Sequence, residues 1–183
     1  MAATEKKNIF LWSSVGNNPP TPERGLITAS QGIWMPNAPC YVSSSGTITL
    51  QTTSDGTADP WHGLLLGADS PAVASPILAE LDENAPVRYL KFRAGDLYGV
   101  YAENSGIDSA VTQANVGVPY GFTVSSTAGE IGYTTLDLNA TTNIAAMVVD
   151  IASNLESNHY TTSDAPAMAI VRIRTECINA KGD

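Results

Sequence analysis

The sequence predicts an all-β fold, a small β-barrel or β-sandwich of about 8–11 short strands with an extended N-terminal arm. Three observations predict it. Thr, Ser, Gly and Val are abundant while charged residues make up only 15% of the chain, a composition that favours strands and turns over surface helices. Short segments alternate apolar and polar residues with a period of two. The turn signals SSSG, SDGT, GADS, ENSG and STAGE recur between those segments.

A chain of 183 residues with 43% hydrophobic content suits one folded domain. Residues 1–25 read as a Pro-rich extended arm and 26–183 as the β domain. In the arm, Pro19, Pro20 and Pro22 of NNPPTPERG enforce extended backbone. Ahead of them stand Ile9, Phe10, Leu11 and Trp12, an apolar patch that needs burial. It either folds back on its own domain or docks on a neighbouring subunit.

Strands are predicted at 26–35, 39–43, 46–53, 61–68, 77–82, 86–93, 97–103, 119–125, 130–137, 144–151 and 167–178. In TITLQT, Ile48 and Leu50 share one face and Thr47, Thr49 and Gln51 the other. In PVRYLKFR, Arg88, Leu90 and Phe92 point one way and Tyr89, Lys91 and Arg93 the other, so the cations split between faces. In the last strand Val171, Ile173, Thr175 and Cys177 alternate with Arg172, Arg174 and Glu176. One short helix is predicted over Asp108–Asn115, with Ser105 or Asp108 as N-cap and Gly117 beyond its end.

A net charge of −9 argues against a nucleic-acid partner, because neutralising phosphates needs an excess of Lys and Arg. No stretch approaches the ~18 apolar residues that span a bilayer, so no membrane partner is expected. Cys40 and Cys177 are expected to be buried free thiols.

The chemistry-bearing motifs are missing. There is no HExxH or CxxC, and His62 and His159 sit in no ligand pattern, so no metal is expected. Asp55 and Asp59 read as a polar hairpin turn, and Glu80, Asp82 and Glu83 as a solvated loop. There is no GxSxG, GxGxxG or phosphate-binding loop, so neither a cofactor nor an enzymatic activity is expected. Trp12, Trp34 and Trp61 read as core or interface residues.

Residues 60–178 show an order of features worth comparing. The run AVTQANVG at 110–117 precedes the aromatic-Gly strand VGVPYGFTVSS. A Gly-then-Leu-Asp strand follows in GEIGYTTLDLNATT, then AAMVVDIAS, then DAPAMAIVRIRTECI. This order resembles the head-decoration (cement) proteins and related small β-barrel capsid components of tailed bacteriophages. The long Pro-rich arm and the AENSGIDSA loop depart from that pattern.

The resemblance implies a structural protein on the outer surface of a virion capsid, made in the host cytoplasm. Its partner would be the major capsid protein, and a homo-oligomer, with a trimer favoured, is expected. The family offers no catalytic residues. The interface candidates are Ile9, Phe10, Leu11 and Trp12 of the arm and Arg88, Lys91, Arg93, Arg172 and Arg174 of two basic strands. Those five cations are expected to meet carboxylates, within the chain or on the shell. The alternative reading is a carbohydrate-binding or host-attachment β-sandwich, with Trp61 and the Tyr98/Tyr101 pair as stacking groups.

Overall fold

A computed structural model describes residues 8–28, 35–51, 61–68, 85–127, 130–142, 144–152 and 167–178. Within them the chain is all-β, as its alternation requires. The strands are β1 (Phe10–Ser13), β2 (Glu23–Leu26), β3 (Ala38–Val42), β4 (Ile48–Leu50), β5 (Gly63–Ala68) and β6 (Pro86–Lys91). There follow β7 (Leu97–Asn104), β8 (Ile107–Asp108), β9 (Pro119–Val124), β10 (Thr134–Asp137), β11 (Ala146–Ile151) and β12 (Met168–Ile173). The expected strand at 77–82 lies outside the described residues, as does most of the one at 26–35.

Five strands close a barrel in the order β7-β10-β9-β11-β12, with β12 pairing back to β7. All neighbours are antiparallel except β7 and β10, whose parallel pairing sets Leu136 beside Ala102. Strand β7 reaches all its partners because it is long. Its first half holds β1 on one edge and β12 on the other, and its second half holds β10 and β8. Gly99 stands where β1, β7 and β12 lie side by side. A Cβ there would sit 2.7 Å from Phe10 Cζ and 3.2 Å from Met168 Sδ, so the glycine lets the Phe10 ring lie flat on the sheet.

Five further strands form a half-barrel in the order β2-β6-β5-β3-β4, while β1 and β8 pair with β7. Its ends approach each other through an Ile27–Ile48 bridge and bonds from Thr28 Oγ1 to the hydroxyls of Thr47 and Thr49. Strands β5 and β6 are the wall that both bodies share. Leu64 packs in the barrel core and Leu65 in the half-barrel core. Val87 and Tyr89 face the half-barrel while Leu90 and Phe92 face the barrel. Burial on both faces explains why GLLLGA is an unbroken apolar run without alternation.

Trp61 sits at the centre of the barrel core, 4.8 Å from Phe122 and 6.2 Å from Phe92 between ring centroids. Phe92 in turn meets Tyr98 edge-on at 5.0 Å.

The expected helix over 108–115 does not form. Asp108 ends β8, and only Gln113–Asn115 makes a single 3-10 turn. Thr112 and Asn115 cap each other across that turn, satisfying its groups locally. Val116 is then extended and Gly117 takes φ 83°, so nothing can propagate.

Candidate functional site

The arm is the first place to look, and residues 8–28 fold back on their own domain. Strand alternation sends Ile9 and Leu11 into the barrel core and Phe10 and Trp12 outward. Ile9 is fully buried and belongs to the core, so it offers no surface to a neighbour. Trp12 keeps 45% of its surface exposed beside Phe10, their rings 6.1 Å apart. The strap therefore joins both bodies, β1 lying on the barrel and β2 on the half-barrel. Along it Trp12, Val15 and Leu26 remain as large exposed apolar side chains.

Asn8 fixes the start of the strap. Its Oδ1 accepts from the N–H groups of Ile9 and Thr134, and its Nδ2 donates to the carbonyls of Pro36 and Gly132. Four bonds at 2.8–2.9 Å satisfy a buried amide at the seam of the two bodies.

The five cations divide. Arg93 is used internally, with Nε donating to Asp96 at 3.0 Å and Nη2 donating to the Asn18 carbonyl. Arg88 is exposed on β6 opposite Arg24, and Lys91 is half-buried opposite Gly63. Arg172 and Arg174 line an open groove with Pro119, Ile144 and Met147.

One polar chain runs through the half-barrel. Tyr89 Oη donates to Glu23 Oε2 at 2.8 Å, and His62 Nε2 lies 3.3 Å from the same hydroxyl. Because that hydroxyl's proton goes to Glu23, His62 carries its proton on Nε2. Its Nδ1 is buried without a hydrogen-bond partner. Burial and the Lys91 charge pull the imidazole below its ordinary value, against a weaker pull from Glu23. The tyrosine lies deep and its hydroxyl is engaged on both sides, so the arrangement holds strands together and presents no open reacting centre.

Cys40 and Cys177 are buried free thiols. Trp61 and His62 donate their N–H groups to the carbonyls of Cys177 and Cys40 respectively, so the two cysteines flank one dipeptide. Among the described residues no cluster of three His, Cys, Asp or Glu is arranged to hold a metal. His159, Trp34, the Asp55/Asp59 turn and the Glu80–Glu83 loop lie outside the described residues.

The stacking groups named for a sugar site are withdrawn from solvent. Trp61 is fully buried, and Tyr98 and Tyr101 are nearly so. None offers a ring face to a sugar, because each is consumed by packing in the barrel or on its outer wall.

Sequence reasoning did not find Asn8, Asp96 or the groove. The spacing of Arg93 and Asp96 in one turn was a readable signal. The groove was not, because its walls come from three strands distant in sequence. The chain matches no protein-family model and no curated protein.

Proposed function

We propose that this chain is a structural virion protein that decorates the outer surface of a tailed-phage capsid and bridges neighbouring subunits of the major capsid protein. The observation that carries this reading is the strap of residues 8–28, which is anchored to both β bodies and holds Trp12, Val15 and Leu26 outward. Three large apolar side chains within fifteen residues are left exposed for a partner to cover. Many copies on a closed lattice make such modest contacts act together.

The test is co-sedimentation of the purified protein with expanded shells of the phage that encodes it. Wild type should saturate the shells, and Trp12→Ser should lower occupancy while leaving the thermal transition unchanged. Removing the whole arm is the wrong experiment, because Asn8 and Ile9 are structural. A wild-type protein that stays in the supernatant would sink the reading.

A further inference from the structure

A groove of about 450 Å3 crosses the outer wall of the closed barrel. Strand register decides what each side of it offers. Met147 on β11 pairs with Arg172 on one side and with Pro119 on the other, so the three side chains share one face in a row across the wall. Ile144 lies just before β11, and Arg174 and Thr175 just after β12. The Arg174 N–H donates to the Ala145 carbonyl, which holds those two segments together. The β12 side of the groove is therefore cationic, Met147 and Ile144 make its floor, and Pro119 stands on the far side. The two arginines are two residues apart, about 7 Å along the strand.

The cationic side is unspent. Arg172 is exposed, and its guanidinium makes no hydrogen bond or ion pair among the described residues. This sets it apart from Arg93, whose donors are committed to Asp96 and Asn18. None of the side chains that line the groove is acidic. A guanidinium presents a planar fork of donors that matches the two oxygens of a carboxylate. The net charge of −9 opposes anions at long range. Salt screens that field beyond about 8 Å at physiological ionic strength, so inside the groove the nearby arginines prevail. Size decides the kind of occupant. The volume lies within the range of about 300–1,000 Å3 typical of small-molecule sites. The run from Arg172 to Thr175 spans only about 10 Å, too little for the roughly 800 Å2 that each partner buries in a standard protein interface.

We propose that the groove binds a small amphipathic carboxylate, with its head group on Arg172 and its hydrocarbon body over Met147 and Pro119. The guanidinium fork fixes the head group by paired hydrogen bonds, and Arg174 adds positive charge on the same side. The apolar floor takes the body out of water. A neutral or cationic molecule with the same body lacks the anchor and binds more weakly. The inference goes beyond the capsid reading, since ligand binding and shell binding are separate measurements.

Met147 is half-buried in the floor, so its methyl group reports on the site directly. The test is NMR of the full chain carrying 13C-methyl methionine, titrated with octanoate at constant ionic strength. Met147→Leu assigns the signal. Octanoate should move the Met147 signal saturably and leave that of Met168, which is buried elsewhere in the wall, in place. Arg172→Gln should weaken octanoate binding at least about tenfold. Arg172 is exposed, so this variant keeps the fold, which circular dichroism verifies. Octanol and octylammonium should bind wild type more weakly than octanoate does. A Met147 signal unmoved at about 10 mM octanoate overturns the proposal. So does an Arg172→Gln protein that binds octanoate like wild type, or octanol that binds wild type as tightly as octanoate. Acetate that moves the signal as strongly as octanoate would show that the apolar floor contributes nothing, and sinks it as well. A Met147 signal that moves with shells but not with octanoate overturns it and leaves the capsid reading standing.

Discussion

The carboxylate of Asp96 accepts a 2.9 Å hydrogen bond from the backbone N–H of Val15, which lies 81 residues earlier. The same carboxylate takes two bonds from Arg93, at 3.0 and 3.2 Å, while Arg93 also holds the Asn18 carbonyl. The turn before β7 thus latches the strap after β1. Asp96 is wholly buried and the Arg93 side chain is 35% exposed. Asp96→Ala should therefore cost about 2–4 kcal/mol, since it strands the Val15 N–H, while the partly exposed guanidinium can turn to water. Arg93→Ala should cost at least as much, about 3–5 kcal/mol, because it leaves a wholly buried carboxylate without its cation. Urea midpoints measured at constant slope check the order. If Arg93→Ala costs less than about 1 kcal/mol, the Asp96 carboxylate is not the dry centre of the latch.

Gly63 faces the backbone of Leu90 on β6. A Cβ at Gly63 would press on the Leu90 carbonyl oxygen and lie 3.0 Å from its carbon and 3.2 Å from Lys91 Cα. Backbone in the shared wall cannot step aside as a side-chain tip can. Gly63→Ala should cost more than about 2 kcal/mol. Gly46 is a useful contrast, with φ 82° and nothing within 4 Å. Gly46→Ala should cost only its backbone strain, about 1 kcal/mol. Equal losses in thermal denaturation would mean that β5 and β6 are free to separate.

These glycines show what the sequence made legible. The alternation of Val171 and Ile173 with Arg172 stated which side chains of β12 face inward, and the all-β class followed, although the strand predicted over 167–178 gives way to a 3-10 turn at Thr175–Cys177. The cation split along β6 was readable for the same reason, since a strand's faces are fixed by its period of two. The segment 108–115 misled, because its helix formers are outvoted by a self-satisfied turn and by Val111, which is drawn into the barrel core. The arm was legible in part. Its prolines announced extended backbone and its apolar patch the need for burial, but nothing local says that Ile9 completes a core built from residues more than fifty positions away. The groove depends on inter-strand register, which one sequence does not display.

The two thiols should be inert in the folded protein. Cys40 donates to the Gly63 carbonyl at 3.4 Å, and burial pushes its thiol up to about 12. Cys177 lies equally deep, with the Ile144 carbonyl 3.6 Å from its sulfur. Thiolate is the reactive form, and little of it exists near neutral pH. A disulfide-exchange reagent should titrate neither thiol in native buffer and both in denaturant. Fast labelling of Cys40 without denaturant would show that the half-barrel opens readily.

His62 should make the fold acid-sensitive. Its imidazole titrates below the ordinary value of 6.5 in the folded chain and near that value when unfolded. The unfolded state therefore binds the proton first as pH falls. The stabilisation is complete above pH 6.5 and is lost as pH drops below it towards the folded value. Protonation also places a hydrogen on Nδ1, which has no acceptor. His62→Gln should start lower in stability but lose less between neutral and mildly acid pH. If the two proteins show parallel stability curves against pH, His62 is not the sensor.

Asn8 should respond to acid in the opposite sense when replaced by Asp. The substitution keeps the oxygen that accepts from Ile9 and Thr134. It converts the amide that donates to Pro36 and Gly132 into an oxygen facing two carbonyls. At neutral pH a buried carboxylate would stand against those two acceptors, so Asn8→Asp should destabilise by about 3–5 kcal/mol. Protonation restores one donor and removes the charge. The folded-state pKa of the new group is thus raised, and its penalty shrinks as pH falls through that value. Asn8→Ala loses all four bonds without adding charge, so its deficit should not depend on pH. Chemical denaturation of both variants at neutral and acid pH separates the cases. An Asn8→Asp protein that does not recover relative to Asn8→Ala in acid would show that the seam around Asn8 admits water and is not the dry junction that its bonds describe.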